Sequence, residues 1–209
     1  MPSAIKLIVG LGNPGPEHLM TRHNAGFWFA DVLAAKYSLN FRTESRFRAE
    51  VGRLSIDDHD CYLCKPMTFM NRSGQSVQAI ASFYKITLGE ILVVHDEIDL
   101  EPGVVRFKQG GGHAGHNGLR DIIEKMGGNE FNRIRIGVGH PGNSDEVVNF
   151  VLNRPSTQDE ELIMQGIGSI MELIPQVLAG EFQKLMHTLH SSEKLNDRSE
   201  KENNDEQNN

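Results

Sequence analysis

Apolar and polar positions change period several times along this 209-residue chain. Residues 4–11 are an apolar run interrupted only by Lys6, and the run stops at Gly12-Asn13-Pro14-Gly15. That is the pattern of a buried strand running into a loop. Asn24 is a residue type suited to cap a helix, and Phe27, Ala30, Leu33, Ala34 and Tyr37 follow on one helical face to about residue 38. Residues 47–54 and 60–65 read as two strands joined by Asp57-Asp58, with Pro66 stopping the second. Ser73 opens a helix to about residue 84, with Val77, Ile80, Ala81 and Tyr84 inward. Residues 91–94 form another apolar strand, delivering His95-Asp96-Glu97 at its end.

Residues 104–108 read as a short strand, and 109–118, with five glycines and two histidines, as a loop. Asn117 is placed to cap a helix over 119–126, which Gly127-Gly128 ends. Residues 133–139 alternate basic and apolar side chains, as a half-exposed strand does. Ser156 with Asp159 resembles a capping box, and an amphipathic stretch then runs to about residue 190, split or bent by Pro175. Strands alternating with helices predict one α/β layered domain over 1–190 with a largely parallel sheet. Residues 191–209, polar and free of aromatics, are expected to be disordered. In such sheets ligands gather beyond the carboxyl ends of strands, which here points to residues 12–24 and to His95-Asp96.

Charge changes the picture locally. The net charge is −7, against a uniformly basic surface, but the tail carries six acids and three bases. Residues 103–135 carry six bases and three acids, a patch able to engage a few phosphates with a shallow salt dependence. No run approaches the roughly 20 apolar residues that span a bilayer, and no signal peptide opens the chain, so a cytoplasmic location without a membrane partner is expected. Cys61 and Cys64 have C-x-x-C spacing, yet on a strand residues three apart face opposite ways, so two ordinary reduced thiols are expected.

Single motifs are weak. Gly10-Leu11-Gly12-Asn13-Pro14-Gly15 fits G-x-G-x-x-G after a strand, but Pro16 follows and helical periodicity starts only near Asn24. A tight turn presenting Asn13 is the better reading. His23 lies at the loop-to-helix junction, where the helix dipole favours the neutral ring that accepts a proton. Asp96 is either a turn carboxylate or the partner that fixes a histidine's tautomer. No G-x-S-x-G is present, so a histidine–aspartate pair activating water is the simplest hydrolytic scheme. His113 and His116 lie in a glycine-rich loop, a poor frame for a metal. Asn13, Asn71 and Asn117 sit at loop-to-element junctions and suit recognition of a peptide backbone, which offers paired donors and acceptors.

Taken in order, Asn13-Pro14-Gly15, Thr21-Arg22-His23-Asn24-Ala25-Gly26, residues 65–74 around Met70 and Asn71, His95-Asp96-Glu97-Ile98-Asp99, residues 110–118 and His140-Pro141-Gly142 resemble the bacterial peptidyl-tRNA hydrolase family over about residues 4–190. The resemblance implies a single α/β domain with a twisted mixed, largely parallel sheet flanked by helices on both faces. It implies a monomeric hydrolase that needs no metal or cofactor and cleaves the ester between a peptide and the tRNA 3′-terminal ribose. His23 would be the general base and Asp96 its support. Asn13, Asn71 and Asn117 would position substrate and water, with His18, Met70 and His116 shaping the pocket. Lys108 and Arg135 would meet tRNA phosphates, with peptidyl-tRNA bound by its acceptor stem, 3′ end and peptide. His18 stands where the family commonly has tyrosine, and Ala114 replaces a usual glycine. The competing readings are a non-catalytic RNA-binding relative, a nucleotide-dependent oxidoreductase using the glycine loop, and a metallohydrolase using His113 and His116.

Overall fold

The computed structural model describes residues 4–189, so the polar tail expected over 191–209 lies outside the described residues. Seven strands form one sheet in the order β2-β3-β4-β1-β5-β7-β6. They are β1 (Leu7–Gly10), β2 (Arg42–Glu44), β3 (Ala49–Ile56), β4 (His59–Pro66), β5 (Ile91–Glu97), β6 (Val105–Gln109) and β7 (Asn132–Gly137). β1 lies parallel to both β4 and β5, and β5 is parallel to β7. The edges are antiparallel: β2 on β3, β3 on β4, and β6 on β7. The sheet is therefore mixed, with a parallel centre, as expected of alternating strands and helices.

Alternate residues of β1 explain the layers. Ile8 faces a core shared with α1 (Ala25–Lys36), α5 (Thr157–Met171) and α6 (Ile174–Leu178), whereas Leu7 and Val9 face a second core with α2 (Ser73–Tyr84) and α3 (Asn117–Met126). Helices thus cover both faces. The remaining helix, α4 (Val147–Val151), is short, and residues 182–189 are helical again. Pro175 opens α6 as a first-turn residue, which splits the amphipathic stretch there. Ser156 caps α5 by accepting the Asp159 amide at 3.1 Å.

Three details differ from the sequence reading. β2 is too short and polar to be legible, and it forms by pairing with β3. Phe47 lies in a 3-10 turn (Ser45–Phe47) rather than in a strand. β7 is not half-exposed: its alternating Arg133 is 2% exposed, buried by the glycine loop it holds. Among the described residues, no helix is long and apolar enough to cross a membrane.

Helix α1 is pressed unusually close to β1. A Cβ on Gly10 would collide with the Gly26 carbonyl, and one on Gly26 would collide with the backbone of Leu11. Only glycine on both sides permits this approach. The Phe27 amide, one of the first donors of α1, is satisfied by the Leu11 carbonyl at 3.1 Å. The turn that carries His23 is therefore fixed to the exit of the central strand.

Candidate active site

The carboxyl ends of β4, β1 and β5 lie side by side, and each delivers part of one cleft. β1 exits through Leu11-Gly12 to Asn13, which is 6% exposed. Asn24 does not cap α1, contrary to expectation. Its side chain grips the backbone of Asn13 instead, accepting the Asn13 amide at 2.8 Å and donating Nδ2 to the Asn13 carbonyl at 3.0 Å. The Asn13 side-chain oxygen accepts the Met70 amide at 2.8 Å, so Nδ2 of Asn13 is left to serve the cleft. The chain from β1 and the turn after β4 are thereby joined through one asparagine. The first α-helix opens only at Ala25, so no helix N-terminus lies among the glycines as a dinucleotide site requires.

His23 sits in a 3-10 turn (Arg22–Asn24) directly above the end of β5. Its Nδ1 lies 3.0 and 2.9 Å from the two oxygens of Asp96. Asp96 also meets Nε2 of His116 at 3.0 Å. Nδ1 of His116 accepts the amides of Gly118 at 3.1 Å and Leu119 at 3.4 Å. The cap of α3 is thus His116 and not Asn117. These bonds assign the tautomers. His116 carries its proton on Nε2 and gives it to Asp96. His23 gives Nδ1–H to the same carboxylate, which leaves its Nε2 as an acceptor. Burial pulls the His23 pKa down, but the charge of Asp96 and the bond to it outweigh that, and the net shift is upward. For Asp96 burial alone would raise the pKa. The two histidines and their hydrogen bonds reverse this and hold the carboxyl ionised, well below the usual carboxylate range.

His95 points to the same region but is chemically quiet. Its Nδ1 is spent on the Asp96 carbonyl at 2.7 Å, its ring packs edge-on against His116, and burial pushes its pKa down to about 3. Among the described residues, the one group placed to hold a cation is His23, Asp96 and His116, whose ligand atoms lie within 4.8 Å of one another. Each already belongs to the hydrogen-bonded chain above. Nδ1 of His113 takes the Gly115 amide at 3.0 Å, while His116 spends Nδ1 on the cap of α3 and Nε2 on Asp96.

The cleft has a volume of about 450 Å³. The structure brings Asn13, His18, His23, Met70, Asn71, Asp96, His116 and Asn117 to its lining. Asn71 and Asn117 are exposed, and Met70 is buried beneath Asn13. Lys108 and Arg135 are not in the lining. Lys108 is exposed on β6 over Gly111, and Nε of Arg135 is paired with Glu97 at 2.8 Å, Glu97 being a lining residue. The two bases lie on adjacent strands, where Arg106 faces Arg135 and Lys108 faces Arg133.

Sequence reasoning missed one wall and its fasteners. Val147, Val148 and Val151 of α4 and Leu152 just after it line the cleft, as does Phe69, and Val148 and Phe69 are 66% and 60% exposed. The V-V-x-x-V-L spacing was the available signal, too short for a period to show. Arg133 donates to the carbonyls of Gly111 and Gly112 and so pins the glycine loop.

Comparison with known proteins bears on the fold and the family. The sequence model of the family described as peptidyl-tRNA hydrolase matches residues 7–198. A peptidyl-tRNA hydrolase of Neisseria meningitidis is 51% identical over 191 residues, covering 91% of this chain and all of that protein. One from Halorhodospira halophila is 52% identical over 186 residues, covering 89% and 96%. The crystal structure of the peptidyl-tRNA hydrolase of Acinetobacter baumannii superposes with a TM-score of 0.87 at 46% identity, covering 90% of this chain and 96% of that one.

Proposed function

The chain belongs to the peptidyl-tRNA hydrolase family, and from that premise we propose that His23 and Asp96 carry out the hydrolysis, with the three asparagines holding the substrate. Water is deprotonated by Nε2 of His23 as its oxygen bonds to the ester carbonyl carbon. The imidazolium that forms is stabilised by Asp96. Nδ2 of Asn13 donates to the oxygen on which negative charge develops. Asn71 and Asn117 engage the peptide backbone and the water. The bond from the carbonyl carbon to the ribose oxygen then breaks, His23 returns its proton to that oxygen, and the peptide acid and free tRNA leave.

The observation that carries this reading is the His23–Asp96–His116 chain, which engages one ring nitrogen of His23 and leaves the other to the cleft that Asn13 also lines. His18 and Met70 shape the same pocket. Lys108 and Arg135, at the edge of the sheet away from the lining, meet phosphates of the acceptor stem while the 3′ end enters the cleft. The enzyme acts in the cytoplasm as a monomer and uses no metal. The test is release of N-acetyl-amino acid from N-acetyl-aminoacyl-tRNA by wild type and His23→Ala, each with and without chelator. The variant is expected to lose on the order of 100-fold or more, with no effect of chelator. Binding of the tRNA without turnover by wild type would overturn the assignment.

A further inference from the structure

Arg22 precedes the base and is 7% exposed, an unusual place for a guanidinium. Its Nη1 donates to three backbone carbonyls, those of Phe150 at 3.3 Å, Asn153 at 3.3 Å and Arg154 at 3.0 Å. Its backbone amide donates to Asn153 as well, at 3.2 Å. The guanidinium carbon lies 3.9 Å over the centre of the Phe150 ring, and Nη2 is 3.6 Å from Asp159 of α5. The acceptors are the Phe150 carbonyl in the last turn of α4, which also takes the Asn153 amide, and two carbonyls of the segment just past the helix. A cation there also meets the negative end of the helix.

The opposite side of the same helix faces the cleft through Val147, Val148, Val151 and Leu152. A five-residue helix does not hold itself in place. Its tie to the body runs through the residue adjoining His23. We infer that Arg22 is a positioning residue, which seats the apolar wall of α4 at a set distance from the base and so determines how well the acyl part of the substrate is held. Lysine cannot replace it, because a single ammonium lacks the planar fork that reaches several carbonyls at once and stacks on Phe150.

The kinetic arm of the test rests on the hydrolase reading above, and a second arm does not. In the full-length protein, Arg22→Lys is expected to raise KM for N-acetyl-leucyl-tRNA on the order of tenfold, with kcat and the pH midpoint of the reaction nearly unchanged. Amide hydrogen exchange over 147–154 is expected to accelerate while that of α1 stays as in wild type. Arg154→Gln is the control. It removes only the exposed pair with Glu160 and keeps the carbonyl that Arg22 grips, so it is expected to match wild type in every readout. Unchanged exchange over 147–154 in Arg22→Lys overturns the inference, whatever the effect on melting temperature. So does a fall in kcat at constant KM. Absence of turnover in wild type would instead remove the hydrolase reading, and the exchange comparison would still decide the role of Arg22.

Discussion

Nε2 of His116 lies 3.0 Å from Oδ1 of Asp96, so the carboxylate that orients His23 is itself held by the cap of α3. The helix that begins at Asn117 and His23, whose ring centre lies 4.8 Å from that of His116, are thus joined through one buried anion. A change at any of the three residues is felt by the other two, and their effects are expected to be non-additive.

The pH dependence follows from this chain. Burial lowers the His23 pKa, but Asp96 raises it above the 6.5 of an ordinary histidine, and in the proposed mechanism the neutral ring is the active form. Activity is therefore lost as pH falls through that raised value, and the acid limb of kcat/KM is expected above 6.5. In Asp96→Asn the charge that raises the His23 pKa is gone and the burial that lowers it remains, so the limb moves to lower pH. The amide also donates to Nδ1 and forces the His23 proton onto Nε2, which blocks the base. A loss on the order of 100-fold or more is expected, checked by pH–rate profiles of both proteins. A limb that stays in place would show that Asp96 does not set the titration.

Asn13→Asp separates structure from chemistry. A carboxylate still accepts the Met70 amide, and Asn24 still grips the backbone, so the fold is expected to survive. The donor that the proposed mechanism gives to the developing oxyanion is gone, and a like charge stands in its place. A fall in kcat on the order of 100-fold is expected, with circular dichroism and melting temperature close to wild type. Retention of activity would move the oxyanion donor elsewhere.

Ala114 has φ of 45°, in the region that glycine occupies at little cost. It is exposed and lines the cleft in the glycine loop. Ala114→Gly is expected to stabilise the folded protein by roughly 0.5–1 kcal/mol, the relief of strain exceeding the added freedom of the unfolded chain. Urea denaturation measures it, and a loss of stability would mean that the methyl group makes a compensating contact.

The two bases, Lys108 on the edge strand β6 and Arg135 on its neighbour β7, are distinguishable by salt. If Lys108 meets one phosphate, Lys108→Gln should reduce the slope of log affinity against log salt by about 0.7–0.9. Arg135→Gln removes a charge and also leaves Glu97 without its partner, 2.8 Å away in the wild type. It is expected to weaken tRNA binding more than Lys108→Gln does. Equal effects would indicate that Glu97 does not face the nucleic acid.

The elements that position the site were legible where a local signal exists. Burial of a parallel strand leaves a continuous hydrophobic pattern. The apolar run of β1 and the turn after it therefore point to Asn13, and the apolar run 91–94 points to Asp96, which proves to lie inside β5 because the strand continues to Glu97. What was not legible depends on partners far away in sequence. Asn24 looks like a helix cap, and its actual partner is the backbone of Asn13. Arg133 looks like an exposed base in an alternating strand, and Arg22 like part of a loop, until their carbonyl partners across the fold are known. His116 and Asn117 are adjacent, and either residue type can cap, so only geometry decides between them.

Cys61 and Cys64, three residues apart on β4, are buried in different layers: Cys61 with the helices that carry His23, Cys64 with those that carry His116. Burial raises both thiols far above their usual range, so neither reacts with alkylating reagents while its layer is closed. The protein therefore contains a two-channel reporter of its own opening. Mass spectrometry of pulse-labelled protein would tell which side of the sheet loosens first, and so which half of the catalytic chain is lost before the other.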